Sequence, residues 1–109
     1  MLAVSLALNG QSLNPSEYYT NIFKSSKTVL NYKIVDRNDS TFMMGELIER
    51  NSRQPIMNMN IELVGYRIGT VPDIGGKFRL WLPQKDGVVR FIKDRFDEFE
   101  VPYTSKVGR

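Results

Sequence analysis

Hydrophobic positions recur every second residue along most of this chain, the spacing that predicts β-strands. Residues 29–35 (VLNYKIV) form the first such run, and the polar stretch 36–40 turns the chain after it. Residues 41–48 predict a second strand, closed by the polar residues 49–54. Met57, Met59, Ile61 and Leu63 alternate with Asn58, Asn60 and Glu62, which gives a strand with one apolar and one wet face. Residues 66–71 predict another strand, and residues 72–76 (PDIGG) a tight reversal with an Asx-type bond from Asp73 and free φ at Gly75 and Gly76. Phe78, Leu80 and Leu82 then face a core opposite Lys77, Arg79 and Trp81. Two more strands are expected over residues 88–92 and 96–103. Short strands with turn chemistry about every ten residues indicate an all-β sandwich rather than βαβ units.

The first part of the chain reads differently. Residues 1–8 (MLAVSLAL) are an apolar run leading into Asn9, Gly10, Gln11 and Ser12, so residues 1–12 read as a signal-peptide remnant. The competing reading is a first strand, because Leu2, Val4, Leu6 and Leu8 alternate. The run is too short to span a bilayer, which needs roughly 20 residues. Asn14-Pro15-Ser16-Glu17 resembles a helix start, and Tyr18, Tyr19, Ile22 and Phe23 suit one helical face, so a short helix or linker is expected within residues 13–28.

Composition narrows the chemistry. Among 109 residues there is no His and no Cys, which excludes His-based general base catalysis, Cys and Ser-His nucleophiles, His/Cys metal sites and disulfides. No cofactor or metal is expected, and no catalytic residue. Fifteen Lys and Arg against twelve Asp and Glu leave a formal charge of +3. The acids are interspersed with the bases, so this is not the concentrated patch of a dedicated nucleic-acid binder.

The order of short motifs carries a family resemblance. Gly45-Glu46-Leu47-Ile48-Glu49, Gln54-Pro55-Ile56, Met59-Asn60-Ile61, Gly69-Thr70-Val71-Pro72-Asp73 and Gly76-Lys77-Phe78-Arg79-Leu80-Trp81-Leu82-Pro83 together resemble the carboxypeptidase regulatory-like family. The resemblance covers about half the chain, residues 42–99. It implies a transthyretin-like (prealbumin-like) Greek-key β-sandwich of about seven strands, common in exported proteins of the Bacteroidetes type. Its motif residues here are Gly45, Pro55, Gly69, Asp73, Gly76, Phe78 and Leu80, and their roles are structural. Gly45 marks a bulge or a close backbone approach, and Pro55 opens the next strand. Pro72 stands where the family prefers Thr, and Arg95 where it has Gly. The family's closing strand is missing, and residues 29–35 are expected to fill the vacant edge. The organisation expected is thus a remnant (1–12), an N-terminal extension (13–40) and the sandwich (41–109).

Candidate sites are few. Asp94, Asp97, Glu98 and Glu100 cluster in sequence, but alternation splits them between faces and bases interleave, so a solvated edge is expected. Asp36, Asn38 and Ser40 mimic the start of a calcium loop that fails at Thr41 and Leu47, leaving a turn. Lys77, Arg79 and Trp81 share the wet face of one strand, with Arg90 expected across from them on the next. Unless the N-terminal segment packs over Trp81, this face is a partner-binding surface. The resemblance implies a non-enzymatic accessory module, exported to the periplasm, outer membrane or cell surface. Its partner would be a protein or envelope polysaccharide, met at a sheet edge or on the Trp81 face. The rival is a small cytoplasmic β-protein holding single-stranded nucleic acid through Lys77, Arg79 and Trp81. A transthyretin-related hydrolase is disfavoured, since the histidines of that chemistry are absent.

Overall fold

The computed structural model describes residues 18–105. Its strands are β1 (Asn21–Lys24), β2 (Thr28–Arg37), β3 (Ser40–Glu49), β4 (Asn60–Leu63), β5 (Gly69–Thr70), β6 (Lys77–Leu82), β7 (Asp86–Lys93) and β8 (Asp97–Thr104). The polar stretch after β2 makes a two-residue hairpin, because Asn38 and Asp39 both take positive φ (52° and 65°) and so match the twist of the flanking strands. Asn and Asp tolerate that region better than other side chains do. The calcium-like spacing is therefore a turn, as the sequence predicts.

All pairings are antiparallel. One sheet, sheet I, has the order β1-β2-β3-β6, and the other, sheet II, the order β5-β4-β7-β8. Between β3 and β6 the chain crosses to sheet II to form β4 and β5, then returns to lie beside β3. Alternate residues of both sheets point into a shared core: Leu30, Met43, Leu47, Phe78, Leu80 and Leu82 from sheet I meet Ile61, Leu63, Val89, Phe91, Val101 and Tyr103 from sheet II. Fully burying each aliphatic or Phe side chain contributes roughly 1.5–3 kcal/mol of transfer free energy. A file of rings crosses the layer. Phe23 of β1 stacks on Phe99 of β8 (5.3 Å), Phe99 on Phe91 of β7 (4.9 Å), and Phe91 meets Phe78 of β6 edge-on (5.7 Å).

Several expectations need correction. The remnant (1–12) and residues 13–17 lie outside the described residues, but from Asn21 the predicted helix or linker is a strand. Thr28 and Ser25 close a turn there (Ser25 N–H to Thr28 C=O, 2.9 Å), and Phe23 gains a core position that a helix at this edge would deny it. Residues 29–35 do join the sandwich, yet as an interior strand with β1 outside it, so residue 41 does not divide an extension from the sandwich. Pro55 does not open a long strand. It forms one bridge to Ile48, Met57 is exposed, and β4 starts only at Asn60. The strand expected over residues 66–71 shrinks to Gly69–Thr70.

The motif glycines separate into two kinds. Gly45 sits in unbroken register between Tyr32 and Phe78, so it marks a close approach and no bulge. A Cβ there would lie 2.8 Å from the Asn31 carbonyl oxygen and 2.9 Å from the Phe78 ring. Gly76 takes φ +77° inside the Asp73 turn, whereas Gly75 does not need positive φ. In that turn Asp73 Oδ1 accepts the Gly75 and Lys77 amides, both at 2.9 Å.

Candidate interaction site

The phase of β6 decides what it offers. Because Phe78, Leu80 and Leu82 are held against the core, Lys77, Arg79 and Trp81 project from the outer face of sheet I. Their cross-strand partners on β3 are Glu46, Met44 and Phe42. The Arg79 guanidinium lies 5.1 Å from the centre of the Phe42 ring, and Trp81, next to Phe42, stays 49% exposed. Lys24, Lys33 and Arg37 share this face through β1 and β2, with Glu46 as the acid among them. The result is a basic surface floored by Phe42, Met44 and Val35.

Residues just before β1 cover part of it. Tyr19 is only 6% exposed and lines a surface cavity of about 370 Å³ with Met44, Glu46 and Lys77. Burial, and after it the charges of Glu46, Tyr18 and Asp73, push its hydroxyl pKa up to about 12. Tyr18 stands against Tyr19 edge to face (4.7 Å) and receives the Lys33 ammonium over its ring at 3.7 Å. This cover stops short of Trp81, so the described part of the N-terminal segment leaves the indole open.

Arg90 does not belong to this face. The chain leaves sheet I after Leu82, and β7 pairs with β4 and β8 in sheet II. Alternation there puts Arg90 on the opposite outer surface, between Glu62 (3.3 Å) and Glu100 (3.0 Å). Sequence proximity misplaced it, because consecutive strands usually pair and these two do not. Sheet II thus presents Glu62, Glu98 and Glu100 around one arginine, and the two outer faces differ in sign.

Asp97 has a role that alternation did not reveal. Its carboxylate accepts the hydroxyls of Ser25 and Thr28 (2.8 Å for Thr28), the Ser26 hydroxyl at 3.4 Å, and the amides of Lys27 (3.3 Å) and Glu98 (3.0 Å). Burial pushes this carboxyl up, but the hydroxyls and amides together outweigh it and hold the pKa below its usual value. At the other end of the same strands, the Ser105 hydroxyl donates to Asp36 (3.1 Å), which also accepts from Thr41. Sheets I and II are therefore tied at both ends of β2 and β8. The signal available in sequence was the run Ser25-Ser26-Lys27-Thr28, whose partner lies about 70 residues away.

Among the described residues, no three His, Cys, Asp or Glu side chains converge as a metal site would require, and no helix is long and apolar enough to cross a membrane. Asp36, Asp97, Glu62 and Glu100 are engaged in the ties and ion pairs above, an arrangement that holds strands and sheets together. No protein-family model, curated protein or solved structure matches this chain.

Proposed function

We propose that this chain is a non-catalytic interaction module of the carboxypeptidase regulatory-like kind, with a transthyretin-like Greek-key sandwich, working in an exported bacterial protein. The observation that carries the proposal is the outer face of sheet I, where Lys77, Arg79 and Trp81 stand in one line on an open surface. Support for the family reading comes from the motif residues. Gly45 is matched to the Phe78 ring, Asp73 and Gly76 form the turn ahead of β6, and β6 returns to β3 after β4 and β5, as a Greek-key path would require. Export is supported by the apolar residues 1–8 alone. The partner is a protein or an envelope polysaccharide with acidic groups.

The test uses three purified probes: polyglutamate, alginate and oligothymidylate. Binding is measured for the intact chain, for the triple variant Lys77→Glu, Arg79→Glu, Trp81→Ala, and for Arg90→Ala as the opposite-face control. The proposal expects binding of an acidic polymer that the triple variant loses and Arg90→Ala keeps. Steeply salt-dependent binding of oligothymidylate in preference to the other two would favour the nucleic-acid reading, for which the same cations and the open indole speak. If the triple variant binds all three probes as the parent does, the face is not the site. Sequencing the mature N-terminus from expressing cells tests export, with cleavage expected near Gln11.

A further inference from the structure

β6 closes one end of sheet I, and its backbone is open on the outer side. The Leu47 amide donates to the Gly76 carbonyl (2.8 Å), which fixes the phase of the ladder. Phe78, Leu80 and Leu82 then direct their N–H and C=O groups to β3, and Lys77, Arg79 and Trp81 direct theirs away from it. The outward groups of Lys77 are already used: its amide donates to Asp73 Oδ1 and its carbonyl accepts from the Asp73 amide (2.8 Å). Among the described residues, no backbone group outside the sheets pairs with the outward amides and carbonyls of Arg79 and Trp81. Pro83 ends the strand directly after them. Exposed apolar side chains flank this window, with Ile74 (83% exposed) in the turn ahead of β6 and Val71 (57% exposed) after β5, which lies against β6.

We propose that an extended peptide segment with alternating acidic and apolar residues adds to sheet I as a strand along β6, pairing with the backbone of Arg79 and Trp81. This rests on the reading of the Trp81 face as a partner surface and names both the partner's chemistry and its docking mode. Side chains of an added strand alternate between two sides. One set lies on the outer face beside Lys77, Arg79 and Trp81, where acids meet the two cations. The other set points to the gap between β6 and β5, where Val71 awaits apolar cover. A second copy of this chain is the poorer occupant, because two β6 strands side by side would gather the cations of both copies on one face and bring no acid to meet them. The Asp73 turn and Pro83 bound the window, so roughly five residues of partner suffice.

The experiment follows a fluorescent hexapeptide of alternating Glu and Val by anisotropy, and the amide exchange of Arg79 and Trp81 by NMR. Two variants at one position separate charge from backbone. Arg79→Gln removes the cation, and Arg79→Pro removes the cation and the outward N–H without breaking a bond to β3. Retention of the parent's exchange pattern in β3 shows that each variant is folded. The expected results are protection of both amides on binding, a loss of up to about fivefold for Arg79→Gln, and a further loss of about tenfold for Arg79→Pro. Equal losses in the two variants, with neither amide protected, would refute strand addition while leaving the face reading intact. No effect of either variant on a peptide that does bind would sink both. Amides already protected in the free chain, or a concentration-dependent dimer in sedimentation, would put another segment or a second copy on the edge and overturn the proposal.

Discussion

Replacing Gly45 by Ala tests the packing logic of sheet I in sign as well as in size. Gly in a strand costs roughly 0.5–1 kcal/mol relative to Ala, through the freedom it loses on folding, so with open space above Gly45 the substitution would stabilise. The space is not open. The added methyl would sit 2.8 Å from the Asn31 carbonyl oxygen and 2.9 Å from two atoms of the Phe78 ring. Asn31 is paired to Glu46 in the centre of the β2–β3 ladder, and Phe78 is wedged edge-on against Phe91. Neither neighbour is the loose end of a flexible chain, so relief requires either a bent ladder or a displaced ring. Overpacking of this kind costs about 1–3 kcal/mol, which exceeds the propensity gain. In a chain of this size each kcal/mol lost lowers Tm by roughly 4–8 °C. Urea and thermal unfolding read the effect, and Gly45→Ala combined with Phe78→Leu should recover part of the loss, because the contacting pair is not additive. An unchanged or raised stability of Gly45→Ala would refute the close-approach account.

Other consequences are equally measurable. Arg95 holds φ +61° at the β7–β8 turn with its side chain almost fully in solvent, so Arg95→Gly should relieve about 1–2 kcal/mol of backbone strain against a smaller entropic cost, and raise the urea midpoint. Asp97→Ala should cost about 1–3 kcal/mol at pH 7, since the Thr28 hydroxyl, 0% exposed, loses its acceptor. The Asp97 pKa is depressed on folding, so its contribution is complete above the ordinary value of 3.8 and fades as pH falls through the folded value. The gap between the urea midpoints of parent and Asp97→Ala should therefore begin to narrow as pH falls below about 4. A gap that stays constant between pH 7 and pH 2.5 would contradict the carboxylate's role.

Period-two patterning made β2, β3, β6, β7 and β8 legible, because each is long enough to show both faces. It also split β6 correctly into Phe78, Leu80 and Leu82 against Lys77, Arg79 and Trp81. The Asp73 turn could be read from its residue types, since a carboxylate reaching two amides is a local event. What failed was either too short or too distant. β1 has four residues and carries one strong core contact, Phe23, inside a segment that also suits a helical face. β5 has two residues and no pattern to detect. The partner of Arg90 depended on which sheet β7 joins, a choice made by the whole topology rather than by the strand's own residues. The Asp97 contacts link positions about 70 residues apart, beyond any local spacing rule.

The carboxylate ties at Asp97 and Asp36 act on one long side of the molecule only, where β2 meets β8. They make that side the spine of a book, and the side of β5 and β6 its fore-edge. The fore-edge is joined differently, because residues 71–76 carry the chain straight from β5 to β6, so the covalent link limits separation of the two layers there while hydrogen bonds alone oppose it at the spine. Cutting both carboxylate ties by substitution would thus loosen the spine alone, leaving the pages joined along the fore-edge.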